Sequence, residues 1–226
     1  MFLTSPHLTT PRWPVAQRAL KAAWQALERL DNKGTMSSQS KKIACIGWGS
    51  LVWDPRTLPH IGDWSHDGPM LPVEFARESA GGKITLVICN DAARIPTLWT
   101  LLDVPDVMTA RRQLGMREYE SATQTWIETN IGFWDRSTGS AYGMETQSIA
   151  NWADQHDLEG VVWTNLGYGF KDKARKGVMP SGEEIIAHLR DLEGKERMAA
   201  EEYICRAPKQ IDTAYRRLIA TTLAQS

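Results

Sequence analysis

Two short stretches of the chain carry residues that could do chemistry. The first, Gly47-Trp48-Gly49-Ser50-Leu51, sets two glycines around a tryptophan and ends on a hydroxyl before apolar residues resume. Glycine lacks the Cβ that keeps other atoms off the backbone, so this turn suits a place where main-chain N–H groups approach something polar. The second is Glu118, within Leu114-Gly115-Met116-Arg117-Glu118-Tyr119, where a helix gives way to the next element. A carboxylate desolvated at such an apolar junction has a raised pKa and is suited to proton transfer. The residues alone leave another reading open, in which Glu118 only pairs with Arg111 or Arg117 on a solvated helix end.

Other chemistries fit the chain less well. His60, Asp63, His66 and Asp67 are metal-ligand types, but their spacing fits no rigid helix or hairpin site, so a solvated loop is expected there. His156 and His188 fall on separate predicted helices, as surface or capping residues. There is no G-x-S-x-G elbow, P-loop or dinucleotide fingerprint, and Gly47 to Leu51 lacks both the third glycine and the following helix pattern. No histidine is placed by sequence to activate Ser50, which reads as a hydrogen-bonding group and not a nucleophile. Neither a metal nor an organic cofactor is expected.

The elements that must position these residues follow from periodicity. Lys41 to Ile46 reads as a buried strand leading into the glycine turn, and Arg56 to Met70 as a loop. Leu71 to Ser79 alternates like a half-buried strand and should pair antiparallel with Lys83 to Cys89 across Ala80-Gly81-Gly82. Ile95 to Leu102 is a third strand-like run. Asp106 caps a helix whose apolar face, Val107, Ala110 and Leu114, runs to about Glu118. Trp126-Ile127 and Ile131 to Trp134 read as a strand pair, 146–156 as a helix and Gly160 to Thr164 as a short apolar strand. A glycine- and lysine-rich loop covers 167–178. Helices are expected from Ser181 to about Leu192, over 195–205 and over 211–223. Strands early and helices late imply α+β, built on a mixed or antiparallel, barrel-like sheet with peripheral helices.

Bulk properties set outer limits. A length of 226 residues fits one domain with an appendage, and a formal charge of −1 gives no electrostatic footprint for nucleic acid. Ten tryptophans point first to core anchors and second to an aromatic-lined pocket. Three cysteines, Cys45, Cys89 and Cys205, with no C-x-x-C, argue against a disulfide framework and read as reduced core residues in a cytoplasmic protein. No apolar run is long enough for a membrane span. Residues 1–40 form an N-terminal extension ahead of a single domain over 41–226. In the extension Pro14 opens an amphipathic stripe from Ala16 to Leu30, followed by a linker. It is open to three readings: a docked or floating helix, a true start at Met36, or a transit peptide.

Gly47-Trp48-Gly49-Ser50-Leu51-Val52-Trp53-Asp54-Pro55 resembles the substrate loop of the γ-glutamylcyclotransferase-like superfamily. It is most similar to the glutathione-specific branch, whose loop reads G-Y-G-S-L-x-W before a proline. Leu114 to Glu118 resembles that branch's helix-end motif, and Pro180-Ser181-Gly182 its late Pro-Ser-Gly segment, so the resemblance spans roughly 43–192. It implies a γ-glutamylcyclotransferase-like fold and a small γ-glutamyl compound as substrate. Gly47, Trp48, Gly49, Ser50 and Leu51 would bind it, and Glu118 would act as acid/base. The implied reaction closes the γ-glutamyl group to 5-oxoproline and releases the attached amine. The chain departs from the pattern in placing Trp48 where the loop usually has Tyr, and Glu120 stands as the alternative to Glu118. On the same scaffold, a non-catalytic binder of a small carboxylate or γ-glutamyl metabolite is the other expectation.

Overall fold

A computed structural model describes residues 41–223 of the chain, so the expected N-terminal helix and linker, and the question of Met36, lie outside the described residues. The fold is α+β. β1 (Ile43–Gly47) is buried throughout because its two faces serve two cores. Ala44 and Ile46 face one apolar cluster, while Ile43 and Cys45 face another. It pairs antiparallel with β6 (Leu98–Leu102) and parallel with β9 (Gly160–Thr164), which gives a mixed sheet. β2 (His60–Ser65), β7 (Ile131–Asp135) and β8 (Ser140–Tyr142) complete the six-stranded order β2-β6-β1-β9-β7-β8.

A second, antiparallel sheet has the order β4-β3-β5, from β3 (Met70–Glu78), β4 (Ile84–Ile88) and β5 (Arg94–Pro96). The chain passes from the small sheet to the large one at Thr97. This residue is fully buried, donates its hydroxyl to Pro69 O at 2.7 Å and accepts the Gly68 N–H at 3.1 Å. The expected barrel does not form among the described residues. β5 and β6 turn the corner into different sheets, so the two sheets stack over a common core instead of closing.

Helices cover both sides of this core. α1 (Ser50–Trp53) is a single turn after the glycines. On the far face of the large sheet lie α2 (Val107–Glu118) and α3 (Gln124–Asn130). α4 (Thr146–Gln155), α5 (Gly182–Asp191), α6 (Gly194–Arg206) and α7 (Ala214–Leu223) complete the order. α2 begins as its sequence signals: the Asp106 carboxylate accepts the Thr109 N–H at 2.7 Å. Ser181 caps α5 in a reciprocal capping box with Glu184.

Besides the division of the Ile95 to Leu102 run into β5 and β6, three element assignments change. Trp126 and Ile127 lie on α3 and not on a strand, with the Thr123 hydroxyl capping the helix. The segment 56–70 contains β2. β3 is buried on both faces from Leu71 to Ala76 instead of half-buried, because α7 packs on its second side. Cys45 and Cys89 are core residues, but Cys205 is exposed on α6.

Candidate functional site

β1 delivers the glycine turn to a cavity of about 580 Å³, and α2 delivers Glu118 to the same cavity. All five turn residues, Gly47 to Leu51, line it. Glu120 lies exposed in the turn after α2 and does not.

Arg117 joins the two segments. Only 3% exposed, its side chain donates Nη1 to Glu118 Oε1 at 2.6 Å and Nη2 toward Ser50 Oγ at 3.4 Å. Its Nε and Nη2 also reach the Asp54 carbonyl where α1 ends, and Arg56 returns a bond to Arg117 O at 3.0 Å. Of the two sequence readings of Glu118, the pairing with Arg117 is found but the solvated helix end is not. It does pair with Arg117, but the pair sits at a buried junction, with the Glu118 side chain 17% exposed and turned to the cavity. A guanidinium at this depth fixes the carboxylate's position more firmly than a mobile surface pair could.

The glycines serve the site by admitting protein side chains, and the backbone freedom of a positive φ is used at neither. A Cβ at Gly47 would lie 2.6 Å from the Trp64 ring, and one at Gly49 would lie 2.5 Å from the Tyr203 hydroxyl. Tyr203 comes from α6 and stands edge-on to Trp53 at 5.4 Å. Its oxygen accepts the Leu86 N–H at 3.3 Å. Trp48, 3% exposed, donates its indole N–H to Leu86 O at 3.2 Å. Leu86 lies on β4, an edge strand, so Trp48 and Tyr203 occupy the free edge groups of that strand and tie it to the glycine turn.

This arrangement alters the expected roles of the turn. The Trp48 and Leu51 side chains are core residues, so both can meet a ligand chiefly through backbone. Tyr203 places a phenol beside the turn. Burial, with a smaller contribution from the negative charge of Glu118, pushes its pKa up to about 12. It stays neutral across the physiological range. With its oxygen accepting the Leu86 N–H, its own proton can serve as a donor at the cavity wall.

Sequence reasoning did not find Tyr203: a tyrosine on a polar-looking late helix carries no local signal. Arg117 was visible only as a possible partner of Glu118. The cavity is lined by five basic side chains, Arg56, Arg77, Lys83, Arg117 and Arg206, against three acidic ones, Asp54, Glu118 and Glu202. That balance suits an anionic ligand. Among the described residues no histidine lines it, and Ser50 Oγ has only the Arg117 guanidinium as partner.

The remaining candidates separate. His60 and Asp63 lie on β2, and His66 Nδ1 meets Gln210 Oε1 at 2.5 Å. Asp67 accepts the Trp99 indole N–H at 2.8 Å, a bond that holds its carboxyl below the ordinary value. His156 packs on the Trp152 and Trp99 rings, and His188 Nε2 lies 2.6 Å from Gly82 O. Among the described residues no three His, Cys, Asp or Glu side chains gather to hold a metal, and no helix is long and apolar enough to cross a membrane. In comparison with known proteins, no family model matches the chain, and neither a curated protein nor a solved structure is similar to it.

Proposed function

We propose that the chain is a γ-glutamylcyclotransferase-like enzyme, on a fold of that kind, acting on a small γ-glutamyl compound. One observation carries the reading: the Glu118 carboxylate, fixed by Arg117, faces the same cavity as the Gly47–Leu51 turn. The resemblance of both segments to the superfamily's motifs adds to it, as does the cationic balance of the lining, which suits a substrate's α-carboxylate.

In this reading the α-amine of the bound γ-glutamyl group attacks its own γ-carbonyl carbon. Glu118 takes the proton that the amine loses as the new C–N bond forms. Tyr203 O–H and the free amides of the turn stabilise the developing oxyanion. The tetrahedral intermediate then collapses, the original C–N bond breaks, and Glu118 returns the proton to the leaving nitrogen. The products are 5-oxoproline and the free amine, so atoms and protons balance without a further reactant. Folding the glutamyl chain back on itself in the cavity supplies the proximity that makes the attack intramolecular in practice as well as in principle.

The test is release of 5-oxoproline by purified protein from γ-glutamyl amines, γ-glutamyl amino acids and glutathione, followed for wild type and Glu118→Gln. No 5-oxoproline from any of them would overturn the reading. A second reading, a non-catalytic binder of a small carboxylate or γ-glutamyl metabolite, is favoured by one feature: one Glu118 oxygen is already committed to Arg117. Calorimetric binding with no product release would identify it.

A further inference from the structure

A second cavity, of about 610 Å³, adjoins the first. The two share Arg77, Ser79, Ala80 and Trp126 in their linings. Its outer wall is the loop 167–177, and its floor comes from the end of β3 and from α3. The loop is held in place by its own backbone: Gly169, at φ +104°, bridges to both Arg77 and Lys176, and Arg175 O occupies the space a side chain would need.

Arg77 stands where the cavities meet, and its environment is unlike that of the other inward-facing arginines. Arg111 is served by two carbonyls and two aromatic rings, and Arg216 by four carbonyls. Arg77 is half-buried, donates only to Gly167 O at 2.8 Å, and has no carboxylate within 4.0 Å among the described residues. A guanidinium has five N–H donors in a fixed fork, and a partly desolvated one left mostly unpaired is costly without an anion. Burial accordingly lowers its pKa, opposed by the charge of Glu118. A β-bulge between Phe75 and Arg77 shifts the strand register at this point, a device that re-aims side chains beside functional sites. Beyond Arg77 the second cavity is again cationic: Lys171 and Lys176 line it against Glu78, which accepts the Lys171 main-chain N–H at 3.0 Å and meets the Lys171 ammonium only at 4.0 Å.

We propose that the second cavity binds the leaving-amine portion of the substrate, that this portion is an extended chain carrying more than one anionic group, as in a γ-linked acidic peptide, and that Arg77 binds one such anion at the junction. The γ-glutamyl end lies in the first cavity against Glu118. The chain passes Arg77 and Trp126 and carries its distal charge toward Lys176. The inference rests on the cyclotransferase reading for which end of the ligand reacts, while the anion site itself does not depend on turnover.

The experiment uses two probes that lack an α-amine and so cannot cyclise: glutaryl-γ-glutamyl-γ-glutamate and glutaryl-butylamide. Calorimetry on the full chain should show the multiply charged acidic chain binding about tenfold or more tighter than the singly charged butylamide, the effect expected of charge-assisted bonds. That advantage should shrink as salt is raised and fall severalfold in Arg77→Met and in Lys176→Ala. Equal binding of the two probes, or a full advantage retained in both variants, overturns the proposal. Lys176 is exposed, so its variant decides the matter if Arg77→Met fails to fold. Offering γ-linked triglutamate separately as substrate keeps the two claims apart. A binding advantage without 5-oxoproline leaves the anion site standing and removes the cyclotransferase reading.

Discussion

Glu74 and Glu118 are carboxylates on the inner side of the fold, and they are used in opposite ways. Glu74, on β3, is 4% exposed and closed off. Its Oε1 accepts the Phe75 N–H at 2.8 Å and the Thr213 hydroxyl, and its Oε2 accepts the Tyr215 N–H at 3.2 Å, where α7 begins. A charge there steadies the positive end of the helix and satisfies its orphan donors. Glu118 has a cation on one oxygen, and no described residue donates to the other, which belongs to the cavity. The difference separates a carboxylate whose oxygens are both used within the fold from one with an oxygen left to the cavity. Burial alone does not distinguish them; the acceptor capacity left over does.

Exchanging each carboxylate for its amide should break the comparison in opposite directions. Glu118→Gln keeps shape and can still accept from Arg117, so the unfolding midpoint should stay close to wild type. Turnover of γ-glutamyl substrates should drop by about 10²–10⁴-fold, the range for loss of a general acid/base. Steady-state rates and a thermal melt read both quantities. Normal turnover in this variant, with loss in Glu120→Gln instead, would move the role two residues along.

Arg117→Met should cost stability heavily, by about 3–5 kcal/mol, because it strands a partly buried carboxylate and frees the Asp54 carbonyl. Chemical denaturation measures this, and a change below 1 kcal/mol would show the pair to behave like a surface pair. Glu74→Gln should cost less, about 1–3 kcal/mol, since it sets an amide N–H₂ against groups that are themselves donors. Its turnover per folded molecule should match wild type. A selective loss of rate there would mean that the closed carboxylate also serves chemistry.

The same contrast explains what the sequence could convey. The Asp106 and Ser181 caps, the β3–β4 hairpin and the buried run of β1 depend on neighbours in the chain, and local pattern was enough to read them. β3 looked half-buried because its cover on the second face, α7, arrives some 140 residues later. Trp126-Ile127 looked like a strand because two apolar residues have no period; the Thr123 cap three residues ahead of Trp126 was the available signal for a helix. At the site, the glycines and Glu118 were legible as residue types. The reason for the glycines was not, since Trp64 and Tyr203 fill their missing side chains from distant elements. Charge pairing was visible within Arg117-Glu118, but its burial depended on the Asp54 carbonyl from another segment.

The smallest effect concerns Tyr203, and it sharpens the picture of the open side of the site. In the folded chain this phenol holds its proton to about 12, against an ordinary value of 10.0. Below pH 10 it is protonated in both folded and unfolded chains and contributes nothing to the pH dependence of stability. As pH rises from about 10 toward 12, the unfolded chain loses the proton first, so stability is lost through that window. Cys45 and Cys89, whose thiols burial also pushes up, act in the same direction. The measurement is therefore a difference between wild type and Tyr203→Phe. Wild type should be the more stable at neutral pH, because Phe leaves the Leu86 N–H without its acceptor. That gap should hold steady to about pH 10 and narrow above it. A gap unchanged through alkaline pH would show that the hydroxyl is hydrated, and a hydrated phenol could not be the fixed, neutral donor that faces Glu118 across the cavity.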